Sequence, residues 1–421
     1  MSDLSRRDSQ VNWHPYTQHQ LDPEALPVLR ASGATLTLED GTQVLDAISS
    51  WWANLHGHGR TELVEAMSAQ ARDLDHIMFA GFTHEPAVRL SEELLEMAPE
   101  GLARVFYSDN GSTAVEVGLK AAYQTWVRRG EPSRTVFLAL EGAYHGDTFG
   151  AMSIGEPDPF FEEFSPFLFH VVRVPADINA VQEALADLEG RVAGFILEPL
   201  VQGAAGMKMQ PPSFLREVRD ACDQHGIFLI ADEVMTGFGR TGHVFACNAA
   251  DIAPDILCLA KGLTGGIFPL SATLVREDIY AAFLADERAK AFFHGHTFTG
   301  NPIGCAVGLA SMQLLREEDT PARMNRIGQW IEDALADLRE HPMVTDMRRC
   351  GGIVALDLAA DDAGYLAGLG EKIRNACRSQ RDVLLRPLGN VLYAMPPSCT
   401  TEEECLRITQ AMRDVILQVA D

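Results

Sequence analysis

Gly226-Ile227-Phe228-Leu229-Ile230-Ala231-Asp232-Glu233-Val234-Met235-Thr236-Gly237-Phe238-Gly239-Arg240-Thr241-Gly242, followed by Asp255-Ile256-Leu257-Cys258-Leu259-Ala260-Lys261, decides how this chain folds. Each stretch holds an unbroken apolar run of strand length, closed by charge at its end. A strand that is apolar on both faces is buried on both faces. Residues 192–198 and 136–140 read the same way. Val105-Phe106-Tyr107-Ser108 is a short strand that leads through a glycine turn into a helix near 112–129. Buried strands separated by helices imply an α/β fold with a mostly parallel sheet and helices on both faces. Ligands of such sheets bind at the carboxyl ends of the strands. The polar residues gather there: Ser108-Asp109, Glu198, Asp232-Glu233 and Lys261.

The ends of the chain differ from its middle. Residues 35–38 and 44–47 flank a turn at Asp40-Gly41 and read as a small antiparallel unit. From about 318 onward, helices alternate with short strands such as 353–358 and 391–395. The expected division is a large cofactor-binding domain at 49–317 and a smaller domain made from 1–48 and 318–421.

With 421 residues, of which 47% are hydrophobic and 22% charged, the chain has ordinary globular usage and can bury a large core without disulfides or metal. Lys plus Arg is 34 and Asp plus Glu is 59, so the net charge is 34 − 59 = −25. Such a surface repels phosphate backbones and anionic lipid, so neither nucleic acid nor membrane is an expected partner. An anionic substrate needs a local cation. The eight cysteines form no C-x-x-C pair and read as reduced thiols. The first residues lack an apolar signal region, and no apolar run reaches the roughly 18 residues of a membrane span. A cytoplasmic location is expected. His56-Gly57-His58 and His294-Gly295-His296 lack further nearby ligands, so no metal site is expected.

Lys261 ends a buried strand beside glycines. Desolvation there lowers an amine's pKa and frees it as a nucleophile. A strand-end lysine that reaches water is the common alternative. Asp232 ends a second strand at the same sheet edge, where it either opens a helix as its cap or faces a ligand. An amine that can form a Schiff base, together with an acid for a pyridinium nitrogen, suits pyridoxal 5'-phosphate. Ser108-Asp109-Asn110-Gly111-Ser112-Thr113 opens a helix after a strand, a place where free N–H groups can hold a phosphate.

The run from Asp232 to Gly242, with Lys261 twenty-nine residues after Asp232, resembles the class III pyridoxal-phosphate aminotransferases over nearly the whole chain. The resemblance implies fold type I, with a large domain of mixed, mainly parallel sheet, a small domain from both termini, and a homodimer with active sites at the subunit interface. Within that family, Trp13-His14-Pro15-Tyr16-Thr17, Ser49-Ser50-Trp51-Trp52, Gly142-Ala143-Tyr144-His145-Gly146-Asp147-Thr148 and Leu384-Leu385-Arg386-Pro387-Leu388-Gly389 are similar to the members that convert 8-amino-7-oxononanoate to 7,8-diaminononanoate in biotin synthesis. The amino donor is S-adenosylmethionine or lysine. An ω-aminotransferase for another diamine or ω-amino acid is the alternative, and a silent cofactor-binding regulator is a more distant one.

By matching position, the resemblance implies that Lys261 forms the aldimine and that Asp232 pairs with the ring nitrogen. Gly111 and Ser112 hold the phosphate, Tyr144 and Val234 flank the ring, and Thr297 reaches the phosphate from the other subunit. Tyr16, Trp51, Tyr144 and Gly295 fall at the substrate pocket, with Tyr16 close to the chemistry. Arg386 grips the substrate carboxylate, as a guanidinium does bidentately; a surface salt bridge is its alternative. Glu198 pairs with an arginine in some relatives. His296 stands where a proline is expected, Asn110 where a serine is common, and the segment 157–166 is short.

Overall fold

The central sheet has seven strands: β1 (Leu102–Ser108), β2 (Val136–Leu140), β3 (Val171–Val174), β4 (Val192–Leu197), β5 (Phe228–Asp232), β6 (Ile256–Leu259) and β7 (Ser271–Arg276). The computed structural model describes residues 2–157, 161–359 and 368–420, so Asp158, Pro159 and Phe160 of the short segment 157–166 lie outside the described residues. The strand order is β1-β7-β6-β5-β4-β2-β3. All neighbours from β6 to β3 run parallel, while β7 is antiparallel to both β6 and β1. The α/β fold with a mainly parallel sheet is the one the apolar runs predict.

Helices cover both faces. On one, α1 (Gly111–Arg128) lies so close that a Cβ added at Gly118 would sit 3.3 Å from Cys258 Sγ and Ile256 Cγ2. On the other, α2 (Pro212–His225) packs Phe214, Leu215, Val218 and Cys222 against Phe195 and Leu229. Gly226, at φ +57°, ends α2 and turns the chain into β5. That left-handed backbone suits glycine, which has no Cβ to clash. Each fully buried Leu, Ile or Phe of these layers contributes about 1.5–3 kcal/mol.

A second core joins the two ends of the chain: Ala34, Leu45 and Ala47 pack with Met324, Ile331, Leu356, Leu392 and Ile416. Strands Val28–Ser32, Thr35–Leu38 and Gln43–Asp46 form a small sheet with Val383–Leu384, which runs parallel to the third. Val344–Cys350, Ile353–Leu358 and Val391–Ala394 form another.

After the first small sheet the chain makes a left-handed turn without glycine. Ser49, Ser50, Trp51 and Trp52 all have positive φ, at 51°, 44°, 68° and 69°. Each such residue costs roughly 1–2 kcal/mol, so the turn forms only where surrounding bonds outweigh that strain. Asp46 accepts from the Ser50 N–H at 2.9 Å, the Ser50 hydroxyl at 2.6 Å and His58 Nε2 at 2.9 Å. Burial would raise the Asp46 pKa, but the His58 and Ser50 hydrogen bonds hold it below the usual carboxylate range. Arg240, fully buried, donates to Ser49 Oγ and to the carbonyls of Trp52, Asn54 and Pro396 at 2.9–3.2 Å. The turn therefore carries Trp51 and Trp52 on a rigid mount.

Candidate active site

Three groups from different strand ends meet at the carboxyl edge of the sheet. Asp232 closes β5 beside Cys258 of β6 and is buried. Its Oδ1 accepts from the Val234 N–H at 3.0 Å, and its Oδ2 lies 2.7 Å from His145 Nδ1. No helix begins at Asp232, so the carboxylate does not serve as a helix cap. Lys261 follows β6, is partly buried, and has its Nζ 4.6 Å from the centre of the Trp52 ring. Burial pulls its pKa down to about 8, against the opposing pull of Asp232 and Glu198. Glu198 follows β4 and accepts from the N–H groups of Gly203 at 2.8 Å and Tyr144 at 3.2 Å. Burial pushes its pKa up to about 7, with His145 opposing. Backbone amides, not an arginine, are its hydrogen-bond partners here.

Two other strand-end groups expected at the site serve the fold. Glu233 accepts from the N–H groups of Ala246 and Cys247 at 2.6 and 2.8 Å. The Ser108 hydroxyl bonds that of Ser271 at 2.7 Å. His56 bonds Ser311 at 3.0 Å, and burial pushes its pKa down to about 3, so it is a neutral structural ring.

The start of α1 forms a cradle. Asn110 caps it, accepting from the Thr113 N–H at 3.1 Å, and leaves the Gly111 and Ser112 N–H groups without intrahelical partners. Two glycines keep the space open. A Cβ at Gly146 would lie 1.9 Å from Ser112 Oγ, and one at Gly111 would lie 2.6 Å from Val234 Cγ1. Free amides at the positive end of an eighteen-residue helix suit a phosphate. A desolvated amine, a buried carboxylate and this cradle together fit pyridoxal 5'-phosphate. Among the described residues, no group of three or more His, Cys, Asp or Glu could hold a metal ion.

An aromatic wall adjoins the cradle. The Tyr16 hydroxyl lies 3.1 Å from that of Tyr144, and both donate to Asp147 at 2.8–2.9 Å. Burial and the Tyr16 bond push the Tyr144 pKa up, so its proton stays on. Trp51, 41% exposed, has its ring 5.4 Å from that of Tyr16 and carries the Arg386 guanidinium 4.7 Å from its centre. No carboxylate pairs with Arg386 among the described residues, so its edge is open to an anion. Gly295 and Thr297 are exposed, and Nδ1 of the half-buried His296 between them sits 3.0 Å from Asp109 Oδ2 at the entrance of α1.

Sequence reasoning passed over His145 and Asp147. Both lie within the Gly142–Thr148 motif that singled out Tyr144.

The chain matches the family described as aminotransferase class-III over residues 16–416. It is 49% identical to the adenosylmethionine-8-amino-7-oxononanoate aminotransferase of Synechococcus elongatus, across 97% of this chain and 98% of that one. Identity to the protein of the same name from Geobacter sulfurreducens is 44%, across 93% and 92%. Among solved structures, the enzyme of that name from Methanocaldococcus jannaschii superposes with a TM-score of 0.94 at 35% identity, covering 98% of each chain. An amine transaminase from an uncultivated Pseudomonas species, solved with pyridoxal phosphate bound, superposes with a TM-score of 0.90 at 34% identity, covering 97% and 98%.

Proposed function

The chain belongs to the class-III aminotransferases, a pyridoxal-phosphate-dependent family, and from that premise we propose that it aminates 8-amino-7-oxononanoate to 7,8-diaminononanoate, a step of biotin biosynthesis. The convergence of Lys261, Asp232 and the α1 cradle carries the reading as amino transfer. The names of the relatives support the substrate, and S-adenosylmethionine is the donor those names suggest.

When bound, pyridoxal 5'-phosphate supplies the electron sink that lets a proton leave the carbon bearing the amine. Lys261 Nζ takes and returns that proton, a task for a base whose pKa lies near the working pH. Asp232, held in place by His145, would supply the carboxylate for the ring nitrogen. The N–H groups of Gly111 and Ser112 would hold the phosphate, and Tyr144 and Val234 would hold the ring. Arg386, held over the Trp51 ring, takes the terminal carboxylate of the substrate. Tyr16, Trp51, Tyr144 and Gly295 line the pocket.

We further assign residues 49–317 to a large domain and 1–48 with 318–421 to a small one; the core shared by Ala34, Leu45 and the C-terminal helices supports this division. In a homodimer, the partner subunit's Thr297 completes the phosphate site, and the exposure of Thr297 suits that role. No helix among the described residues is long and apolar enough to cross a membrane, and the proposed setting is the cytoplasm.

The test is to incubate the holoprotein with 8-amino-7-oxononanoate and either S-adenosylmethionine or lysine, following 7,8-diaminononanoate by mass spectrometry. Product with one of the donors is expected. Conversion of other amines, with none of this acceptor, would make the protein an ω-aminotransferase of different scope.

A further inference from the structure

Trp51 and Trp52 leave the left-handed turn in different directions. Trp51 is 41% exposed and meets Tyr16 and Arg386, whereas Trp52 is 5% exposed. The Trp52 indole is fixed from several sides. Its Nε1–H donates to the Tyr393 hydroxyl at 2.8 Å, and the backbone carbonyl of Trp52 accepts from Arg240 at 3.2 Å. Its Cζ3 would lie only 3.1 Å from a Cβ added at Gly203. Lys261 Nζ stands over the face of this ring, 4.6 Å from its centre.

We infer that Trp52 is a positioning residue for Lys261: the electron-rich face of its indole seats the ε-ammonium whenever the lysine is not bonded to the cofactor, and the bond to Tyr393 holds that face in place. The inference rests on the reading of Lys261 as the cofactor-bearing lysine. The groups that act on this amine are Asp232 and Glu198, which favour its charged form, and Arg240 and burial, which oppose it. A carboxylate in the position of Trp52 would trap the proton and add charge next to Asp232. The indole face attracts the cation through its quadrupole and adds no charge. The lysine can therefore keep its proton between transfers and still release it.

The test follows growth of the visible band when the full chain, freed of cofactor, is mixed with pyridoxal phosphate over a range of pH. The free amine is the reacting form, so the pH midpoint of the rate reports the Lys261 proton, and the native midpoint should lie near 8. Trp52→Phe keeps a ring but weakens its face and removes the bond to Tyr393. Its midpoint should fall by about half a unit to one unit. Tyr393→Phe should produce a smaller fall in the same direction. Replacing all five tryptophans by 5-fluorotryptophan weakens the ring face with little change of shape. It should lower the native midpoint and leave that of Trp52→Phe unmoved. Equal midpoints in the native, Trp52→Phe, Tyr393→Phe and fluorinated proteins would overturn the inference, even if loading slowed at every pH, because packing alone would then explain Trp52. A Lys261→Ala chain that still develops the band would instead overturn the assignment of Lys261.

Discussion

His145 Nδ1 and Asp232 Oδ2 lie 2.7 Å apart, with both side chains almost wholly shielded from solvent. A carboxylate oxygen can only accept, so Nδ1 carries the proton, and the histidine fixes the direction of the carboxylate. Asp232→Asn removes the charge proposed to serve the ring nitrogen and should lower the rate of both half-reactions by about 10²–10³-fold, the usual cost of losing one preorganised electrostatic partner. His145→Leu leaves the charge but releases its orientation, and should cost about tenfold, as expected for losing a hydrogen bond to a charged group. Stopped-flow traces of each half-reaction check both values.

Lys261 has its pKa pulled down to about 8 by burial. On the proposed role of Lys261 as the base, the donor half-reaction should speed up as pH rises and level off above about 8. The sign for stability follows from linkage. Between about 8 and the ordinary 10.5 the unfolded chain holds this proton and the folded chain does not, so stability rises with pH through that window. In cofactor-free protein, Lys261→Met should melt at a higher temperature than the native chain near neutral pH, and the gap should close as pH climbs through the window.

Arg386 rests on Trp51 with no carboxylate partner among the described residues. Removing a charge-assisted contact of this kind costs about 1.5–3 kcal/mol, so Arg386→Ala should raise the acceptor KM by roughly ten- to a hundredfold. The donor half-reaction should lose far less. Equal loss in both halves would remove the role given to Arg386.

Arg240 is the staple of the strained turn. Arg240→Ala leaves the carbonyls of Trp52, Asn54 and Pro396 without this donor, at about 1–3 kcal/mol for each buried group left unsatisfied. Denaturant unfolding should show a loss of at least about 3 kcal/mol. Fluorescence from the loosened Trp51 and Trp52 should change in the folded state.

The parts of this account that were legible in the sequence are those with an unambiguous local signal. The apolar runs ending at Asp232 and Lys261 named their strands within two residues at either end and put both side chains at one edge. β7 was not read as a strand, because its Ser271 and Thr273 interrupt the apolar pattern. Both are buried and satisfied across the core, Thr273 by the Ala114 carbonyl at 2.8 Å. The left-handed turn at Ser49–Trp52 carries no glycine to announce it; bonds from nearby Asp46 and from Arg240, distant in sequence, impose it. Glu233 and Asp232 look alike on the page, yet they point at different partners, because successive residues at a strand end face opposite ways. Asp147 reads as an ordinary acidic loop residue until the fold brings Tyr16 to it across 131 positions.

The central claim is that Lys261 and Asp232 serve an amino transfer that accepts the biotin intermediate. The most direct measurement is the visible absorption of the purified holoprotein before and after adding 7,8-diaminononanoate. The yellow band should bleach as the amino group passes to the cofactor, and added 8-amino-7-oxononanoate should restore it. A band that forms and stays unchanged by this amine would contradict the substrate assignment.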